Sequence, residues 1–315
     1  MNDGDTGLIW KIDRFALHDG PGIRTSVYFQ GCPLRCPWCS NPEGQSTGRQ
    51  LLFLESRCYG CELCLDVCPA GAIHRGEGEL AGVPEIDRSL CDACGVCASL
   101  CPTEALSVPA HECSMAELLD LFERDRAAYR RSGGGVTCTG GEPLRQWPFL
   151  AALLAECRRR GLHTVVETCG FAGEEAVAAV LPFVDQLFFD LKHLDGLEHV
   201  RLTWRDNSII LRNLRRASAM LGEQGGGLVV RYVVVPGIND GDNIVALADL
   251  VASLPHVDWV ELLPLHAYGS YKYVALGRPY ELAGHPSPCA DEMERYRQTV
   301  EERGCTCEIG NVWAT

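Results

Sequence analysis

Three cysteines constrain this chain more than any other feature. Cys32, Cys36 and Cys39 stand at C-x3-C-x2-C in the stretch Gly31-Cys32-Pro33-Leu34-Arg35-Cys36-Pro37-Trp38-Cys39-Ser40-Asn41-Pro42. Thiolates this close in sequence can close on one metal centre, and cysteine thiolates are the ligands of iron–sulfur clusters. A [4Fe–4S] cube has four irons, so three ligands leave one iron with an open position. The same distinction separates an open catalytic zinc site from a closed structural one. An open iron can bind a substrate instead of only passing electrons. The competing reading is a zinc knuckle or three buried structural cysteines.

Residues 51–108 are crowded with Cys, Gly and Pro and lack a long helical period. They hold one pattern twice, first as Cys58-x2-Cys61-x2-Cys64-x3-Cys68-Pro69 and then as Cys91-x2-Cys94-x2-Cys97-x3-Cys101-Pro102. This is the bacterial ferredoxin run, in which the fourth cysteine of each run ligates the other cluster. The expected ligand sets are therefore Cys58, Cys61, Cys64 and Cys101 for one [4Fe–4S] cluster, and Cys91, Cys94, Cys97 and Cys68 for a second. A pair of zinc sites is the alternative.

The chain has 18 cysteines among 315 residues and no secretory pattern at its start, where residues 1–13 carry acids and no apolar run. Cysteines in a reducing compartment are metal ligands more often than disulfides, so a cytoplasmic, oxygen-poor setting is expected. A formal charge of −14 argues against a nucleic-acid partner or an anionic membrane surface. The apolar stretch 228–235 is too short to span a bilayer and is interrupted by Arg231.

Outside the insert the chain reads as α/β. Strands are expected at 7–13 and 25–30, the second delivering Cys32. A capping box at Ser114-Met115-Ala116-Glu117 opens a helix running to about Arg131. Strands then follow at 136–139, 164–167, 186–190, 228–234, 259–263 and 306–309. Helices are expected at 148–160, 174–181, 208–221, 243–254 and 290–303. Such alternation means βαβ units and a parallel sheet. About six units fit, which suits a partial (β/α)6 barrel of residues 1–50 and 109–315, interrupted by the ferredoxin-like insert 51–108.

Parallel α/β barrels place their active sites at strand C-terminal ends, and the remaining motifs fall there. Gly140, Gly141 and Glu142 follow the 136–139 strand; the glycines let backbone approach a ligand, and Glu142 offers a carboxylate to an ammonium group. Glu167-Thr168-Cys169-Gly170 ends the next strand, and Asp190 and Lys192, two apart, share a side at the end of the one after. Arg231, inside an apolar strand, needs a carboxylate partner, from a ligand or from Asp/Glu. His266 ends the last of these strands.

The three-cysteine stretch resembles the signature of the radical S-adenosylmethionine (SAM) superfamily. Further motifs resemble the glycyl-radical enzyme activating enzymes within it: Asp19-Gly20-Pro21-Gly22-Ile23-Arg24, Ser132-Gly133-Gly134-Gly135-Val136-Thr137, Asp190-Leu191-Lys192, Arg231-Tyr232-Val233-Val234-Val235-Pro236-Gly237 and Leu262-Leu263-Pro264-Leu265-His266. The insert is similar to that of the subset serving dehydratases, lyases and decarboxylases. The resemblance implies SAM contacts at Trp38, Ser40, Gly140, Gly141, Glu142, Asp190, Lys192 and His266, with Thr168 and Arg231 in the same site. It also implies that Asp19, Gly20, Pro21, Gly22 and Arg24 help to hold the partner polypeptide. Relatives bind a monovalent cation beside SAM through two aspartates, where this chain has Glu167 and Asp190. Cys113, Cys138, Cys157, Cys169, Cys289, Cys305 and Cys307 have no ligand role here and read as small buried hydrophobes.

The implied reaction begins with a flavodoxin- or ferredoxin-type reductant feeding the insert. One electron then cleaves SAM to methionine and a 5′-deoxyadenosyl radical, which takes a hydrogen atom from a glycine Cα of a glycyl-radical enzyme. The alternatives are a radical SAM enzyme acting on another peptide or small molecule, and an electron carrier without SAM chemistry. No further cysteine run follows the second, which disfavours the first of these. The open site and Gly-Gly-Glu speak against the second.

Overall fold

A computed structural model describes residues 5–76 and 82–310. In chain order, β1 (Thr6–Ala16) and β2 (Arg24–Phe29) precede the three-cysteine loop. The insert follows with β3 (Leu52–Phe53), β4 (Ile73–Arg75), β5 (Pro84–Ile86), the short α1 (Val96–Leu100) and β6 (Leu106–Ser107). The chain continues through β7 (His111–Ser114), α2 (Met115–Ser132), β8 (Gly135–Gly140), α3 (Trp147–Arg159), β9 (His163–Thr168), α4 (Glu174–Val180) and β10 (Gln186–Leu191). Then come α5 (Gly196–Thr203), α6 (Ser208–Gln224), β11 (Gly227–Val234), α7 (Asp242–Ala252), β12 (Trp259–Pro264), α8 (Ser270–Ala275), α9 (Ala290–Glu301) and β13 (Cys307–Ile309).

Nine strands form one sheet in the order β13-β12-β11-β10-β9-β8-β2-β1-β7. From β2 to β13 every pairing is parallel; β1 runs antiparallel to both β2 and β7. The antiparallel edge follows from the short link that carries the chain from β1 back along β2, since only crossover connections make parallel neighbours. Strand β7 and helices α5 and α8, all short, carry no periodic signal in the sequence. The expected capping box at the start of α2 is present, with Ser114 Oγ accepting from Glu117 N at 3.3 Å and Glu117 Oε2 accepting from Ser114 N at 2.8 Å.

Side-chain alternation along the strands separates two environments. Val166, Leu187, Phe189, Leu228, Val230, Tyr232, Val260 and Leu262 face the helices in the main core. The intervening positions bring Glu167, Phe188, Arg231 and Glu261 to the other face, where they line a cavity. Register aligns them, because Phe188 pairs with Glu167, Asp190 with Arg231, and Arg231 with Glu261. Val165, Phe188 and Val229 pack as a small apolar floor on this face.

Residues of the insert pair among themselves, β3 with β6 and β4 with β5, both antiparallel. They bury their own small cluster of Leu51, Ile73, Cys97 and Leu106. No helix among the described residues is long and apolar enough to cross a membrane. One expectation is corrected. Cys289 is exposed rather than buried, because it occupies the N-cap of α9, where its N–H donates to Glu292 Oε2 at 2.7 Å. Cys305 is half-buried, while Cys113, Cys138, Cys157, Cys169 and Cys307 are buried.

Candidate active site and cysteine cages

The cysteine loop is clamped at its root. Gly31 N donates to Gly44 O at 2.9 Å and Cys32 N to Gln45 O at 3.2 Å, while Arg35 folds back to donate to Cys32 O at 2.7 Å. The Gly-Gly-Glu backbone lies directly on this root, with Gly141 N donating to Phe29 O and Glu142 N to Gly31 O, both at 2.8 Å. No side chain fits there. A Cβ on Gly141 would stand 2.5 Å from Gly31 O and from Gly44 O, and Gly140, at φ +115°, would meet Phe29 N at 2.5 Å. Two motifs far apart in sequence are thus one structure.

Glu142 is fully buried and its side chain ties β8 to the end of β9. It accepts from Thr168 Oγ1 at 2.7 Å, Cys169 N at 2.7 Å and Leu144 N at 2.9 Å. Burial raises its pKa against those three donors, and among the described residues it forms no ion pair. The Cys169 thiol packs in one cluster with Cys32, and this neighbour more than any other group holds the Cys32 thiol below its ordinary pKa. Burial pushes Cys36 up, and Cys39 up to about 11. Lys192 Nζ sits 3.8 Å from Asp190 Oδ2. Burial alone would lower its pKa, but Asp190 and the thiols of Cys36, Cys169 and Cys39 outweigh it and hold the ammonium charged. The cysteine loop therefore has a half-buried cation, Lys192, and a buried carboxylate, Glu142, beside it.

A cavity of about 570 Å³ opens next to this loop, lined by Asp19, Trp38, Ser40, Glu167, Arg231 and His266 among others. Arg231 is held between two carboxylates, Nε to Glu261 Oε2 at 2.9 Å and Nη2 to Glu167 Oε1 at 3.1 Å, with its guanidinium 4.3 Å from the Phe188 ring centre. Glu167 also accepts from Thr139 Oγ1 at 2.8 Å. Glu261 was not singled out from the sequence, although a charged residue on an otherwise apolar strand is the same signal that marked Arg231. Among the described residues, Trp38 Nε1 and His266 Nδ1 are buried without a hydrogen-bond partner. Two orphaned polar groups on one cavity wall suit a polar ligand.

The Asp19–Arg24 loop forms the cavity's other wall. Asp19 accepts from Ser26 Oγ and, at 3.3 Å, from Tyr28 OH; burial and the nearby Glu167 raise its pKa. Arg24 is completely buried beneath the loop. Its guanidinium donates to Val136 O at 2.5 Å, Thr137 Oγ1 at 2.6 Å and Pro21 O at 2.9 Å, and burial lowers its pKa to about 10. Ser132-Gly133-Gly134 supports the loop from behind. Ser132 Oγ accepts from Ile23 N at 2.8 Å, and a Cβ on Gly134 would fall 1.9 Å from Ile23 O. Gly20, Pro21 and Gly22 cap this support.

In the insert, one pocket is lined by Cys58, Cys61, Cys64 and Cys101 together. Burial raises the Cys64 thiol, and the like groups that add to this are Cys61, Cys58 and Cys101. For Cys97, raised by burial to about 11, they are Cys91, Cys68 and Cys94. The fourth cysteine of the second run thus joins the three of the first in one pocket, and Cys68 is among the groups acting on Cys97 of the second run. No three Cys, His, Asp or Glu among the described residues converge closely enough for a single metal ion.

Comparison with known proteins agrees with this chemistry. The family model of the Radical SAM superfamily matches residues 91–251, a 4Fe-4S dicluster domain matches 57–105, and a 4Fe-4S single cluster domain matches 18–74, which contains the three-cysteine loop. The chain is 40% identical over 301 residues to the choline trimethylamine-lyase activating enzyme of Oleidesulfovibrio alaskensis, covering 94% of this chain and 95% of that protein. It is 41% identical to the isethionate sulfite-lyase activating enzyme of Nitratidesulfovibrio vulgaris, covering 94% and 96%. Identity to the trans-4-hydroxy-L-proline dehydratase activating enzyme of Clostridioides difficile is 35%, over 96% and 99%. A solved domain of a pyruvate-formate lyase-activating enzyme from Bacteroides vulgatus superimposes with a TM-score of 0.47 at 31% identity, covering 57% of this chain and all of that one. With such identities sustained along nearly the whole of each relative, this chain belongs to the glycyl-radical enzyme activating enzymes of the radical SAM superfamily.

Proposed function

We propose that this protein activates a glycyl-radical enzyme by reductive cleavage of SAM. The carrying observation is the single cavity that joins the three-cysteine loop, at Trp38 and Ser40, to the Asp19–Pro21 loop. A small ligand bound beside the cysteines and a peptide held by the loop would share one open cavity. We read the six parallel strands β2 and β8–β12 as a partial (β/α)6 barrel whose strand ends surround that space.

Cys32, Cys36 and Cys39 hold a SAM-binding [4Fe–4S] cluster, and the two insert cages hold one [4Fe–4S] cluster each. When bound, the first supplies the electron that splits SAM into methionine and a 5′-deoxyadenosyl radical, the agent of hydrogen abstraction from a glycine Cα. The chain's own residues position and shield. Gly140 and Gly141 let backbone approach the ligand, and the buried carboxylate of Glu142 takes its ammonium group. Lys192 and Asp190 present paired charges, Thr168 fixes Glu142, and Trp38, Ser40 and His266 wall the ligand from water. Arg231 acts by holding Glu167 and Glu261 in place. With both Glu167 oxygens engaged by Arg231 and Thr139, we assign no cation beside it. Arg24 serves the partner peptide indirectly, as the strut under Asp19–Gly22.

The test is anaerobic. The protein is reconstituted with iron and sulfide, reduced with dithionite and given SAM, with and without a candidate glycyl-radical enzyme. Partner-dependent 5′-deoxyadenosine together with a glycyl EPR doublet on that enzyme is expected. Deoxyadenosine without the doublet moves the chemistry to another substrate, and no cleavage from fully loaded clusters leaves an electron carrier.

A further inference from the structure

One segment outside the cysteine loop grips its back half. Residues 269–278 contain α8 and begin three positions after His266. Gly269 lies on the loop backbone, where a Cβ would stand 2.8 Å from Ser40 O. The buried Tyr273 donates its OH to Cys39 O at 3.0 Å, and Arg278 Nη1 donates to Gln45 Oε1 at 3.0 Å. Lys272 supplies the centre of this grip. Its ammonium has three donors, and its nitrogen meets Ser40 O at 3.0 Å, Asn41 Oδ1 at 3.1 Å and Glu43 Oε1 at 2.8 Å.

The front half of the loop has other anchors. Cys32 O and Leu34 O accept from the Arg35 guanidinium, and Arg35 N donates to Thr203 O, at the end of α5, at 3.0 Å. The two halves therefore lean on different parts of the fold. Glu43 makes the back half depend on a charge. Its side chain is 5% exposed, Lys272 is its one ion-pair partner among the described residues, and its Oε2 has no hydrogen-bond partner among them. A buried carboxylate needs a cation, so Glu43 draws the ammonium inward, where Ser40 and Asn41 also take it.

The consequence falls on the cavity beside the loop. Trp38, Ser40 and Asn41 form one part of its wall, and His266 forms another. The first part belongs to the cysteine loop, and the second to the chain that leads into α8. Lys272 lies behind this wall, in the adjoining groove, and joins the two parts. We infer that Lys272 is a positioning residue for SAM, fixing the Trp38–Asn41 wall against His266 without touching the ligand. This rests on reading the cavity as the SAM site. The unpartnered Trp38 Nε1 and His266 Nδ1 can serve one ligand only if their spacing is held.

Lys272→Met keeps an apolar stem and deletes the ammonium. Anaerobic calorimetry on the reconstituted protein should show SAM bound about 10-fold or more weakly, the scale of losing a group that orients a site's ligands. Affinity at the wild-type level overturns the inference, whereas wild-type protein that binds no SAM overturns the reading of the cavity instead. Lys272→Met also strands the Glu43 carboxylate, so the double variant Glu43→Gln/Lys272→Met removes both charges. It should stay weak, and a return to wild-type affinity overturns the positioning role. Iron content should hold in both variants, because Cys32, Cys36 and Cys39 remain; loss of about four irons per chain from both overturns a role confined to the cavity wall. A double-mutant cycle with His266→Ala separates positioning from general weakening. His266→Ala should cost several-fold less affinity in the Lys272→Met background than in the wild type. Equal costs in the two backgrounds overturn the inference.

Discussion

Arg231→Met removes the cation that Glu167 and Glu261 share and keeps an apolar stem over Phe188. The three side chains are 13%, 11% and 22% exposed, so the carboxylates left behind are poorly solvated. Breaking a buried pair by deleting one partner costs about 3–5 kcal/mol, and here one deletion strands two charges. The cost does not double, because a stranded carboxylate can take up a proton instead. That gives the prediction its sign. Burial already raises the pKa of Glu261 and Arg231 pulls it down; without the guanidinium it rises further. A carboxyl whose folded-state pKa exceeds its unfolded value of about 4.3 makes the native state bind the extra proton, so its penalty is full above the folded value and vanishes below the unfolded one. The destabilisation should therefore be greatest at pH 8 and shrink toward pH 6, by up to about 1.4 kcal/mol per pH unit for one proton. Urea unfolding of the anaerobic holoprotein, followed by far-UV circular dichroism at both pH values, measures it. Adding Glu261→Gln should recover part of the loss. A loss under about 1 kcal/mol at pH 8, or one that fails to shrink at pH 6, refutes the reasoning.

Three further outcomes follow from the site. Glu142→Gln should weaken SAM binding by about 10- to 100-fold, the worth of one charge-assisted hydrogen bond, as read by anaerobic calorimetry; unaltered affinity removes Glu142 from the ammonium site. Gly134→Ala puts a methyl group 1.9 Å from Ile23 O and must displace the Asp19–Arg24 loop. Glycyl-radical spin on the partner should fall while SAM affinity, read by anaerobic calorimetry, holds, and a parallel loss of both contradicts a loop that serves the peptide alone. Cys169→Ala removes a buried thiol from the cluster of side chains that packs around Cys32, and S–H groups beside cluster sulfurs, like other donors, favour the reduced form. The midpoint potential of the three-cysteine centre should become more negative in an EPR titration, and an unchanged or higher value sinks the assignment.

What could be read from the sequence, and what could not, divides along a physical line. Cysteine spacing is legible because a cluster dictates residue type and separation together, and the Ser114–Glu117 box is legible because both halves of a helix cap are local. Strand positions emerged because both sides of a parallel sheet are covered, so 228–235 had to be almost wholly apolar. Contacts across the fold left weaker traces. Arg24 reads as a loop residue beside Gly-Pro-Gly, yet it is a buried strut, because nothing in a single stretch says which side of the loop the guanidinium takes. Cys289 stands three residues before Glu292, a local cap pattern that an expectation of burial obscured. Arg231 announced its need for a carboxylate, but strand register chose Glu261 and Glu167. The deepest case joins two motifs. Asp19-Gly20-Pro21-Gly22-Ile23-Arg24 and Ser132-Gly133-Gly134-Gly135 each look like an ordinary flexible turn. Folded together, Gly134 exists to let Ile23 O pass, Ser132 to hold Ile23 N, and Arg24 to fill the space below. Residue types that suggest looseness in sequence are here the conditions for a rigid wall, because only backbone without side chains packs that closely.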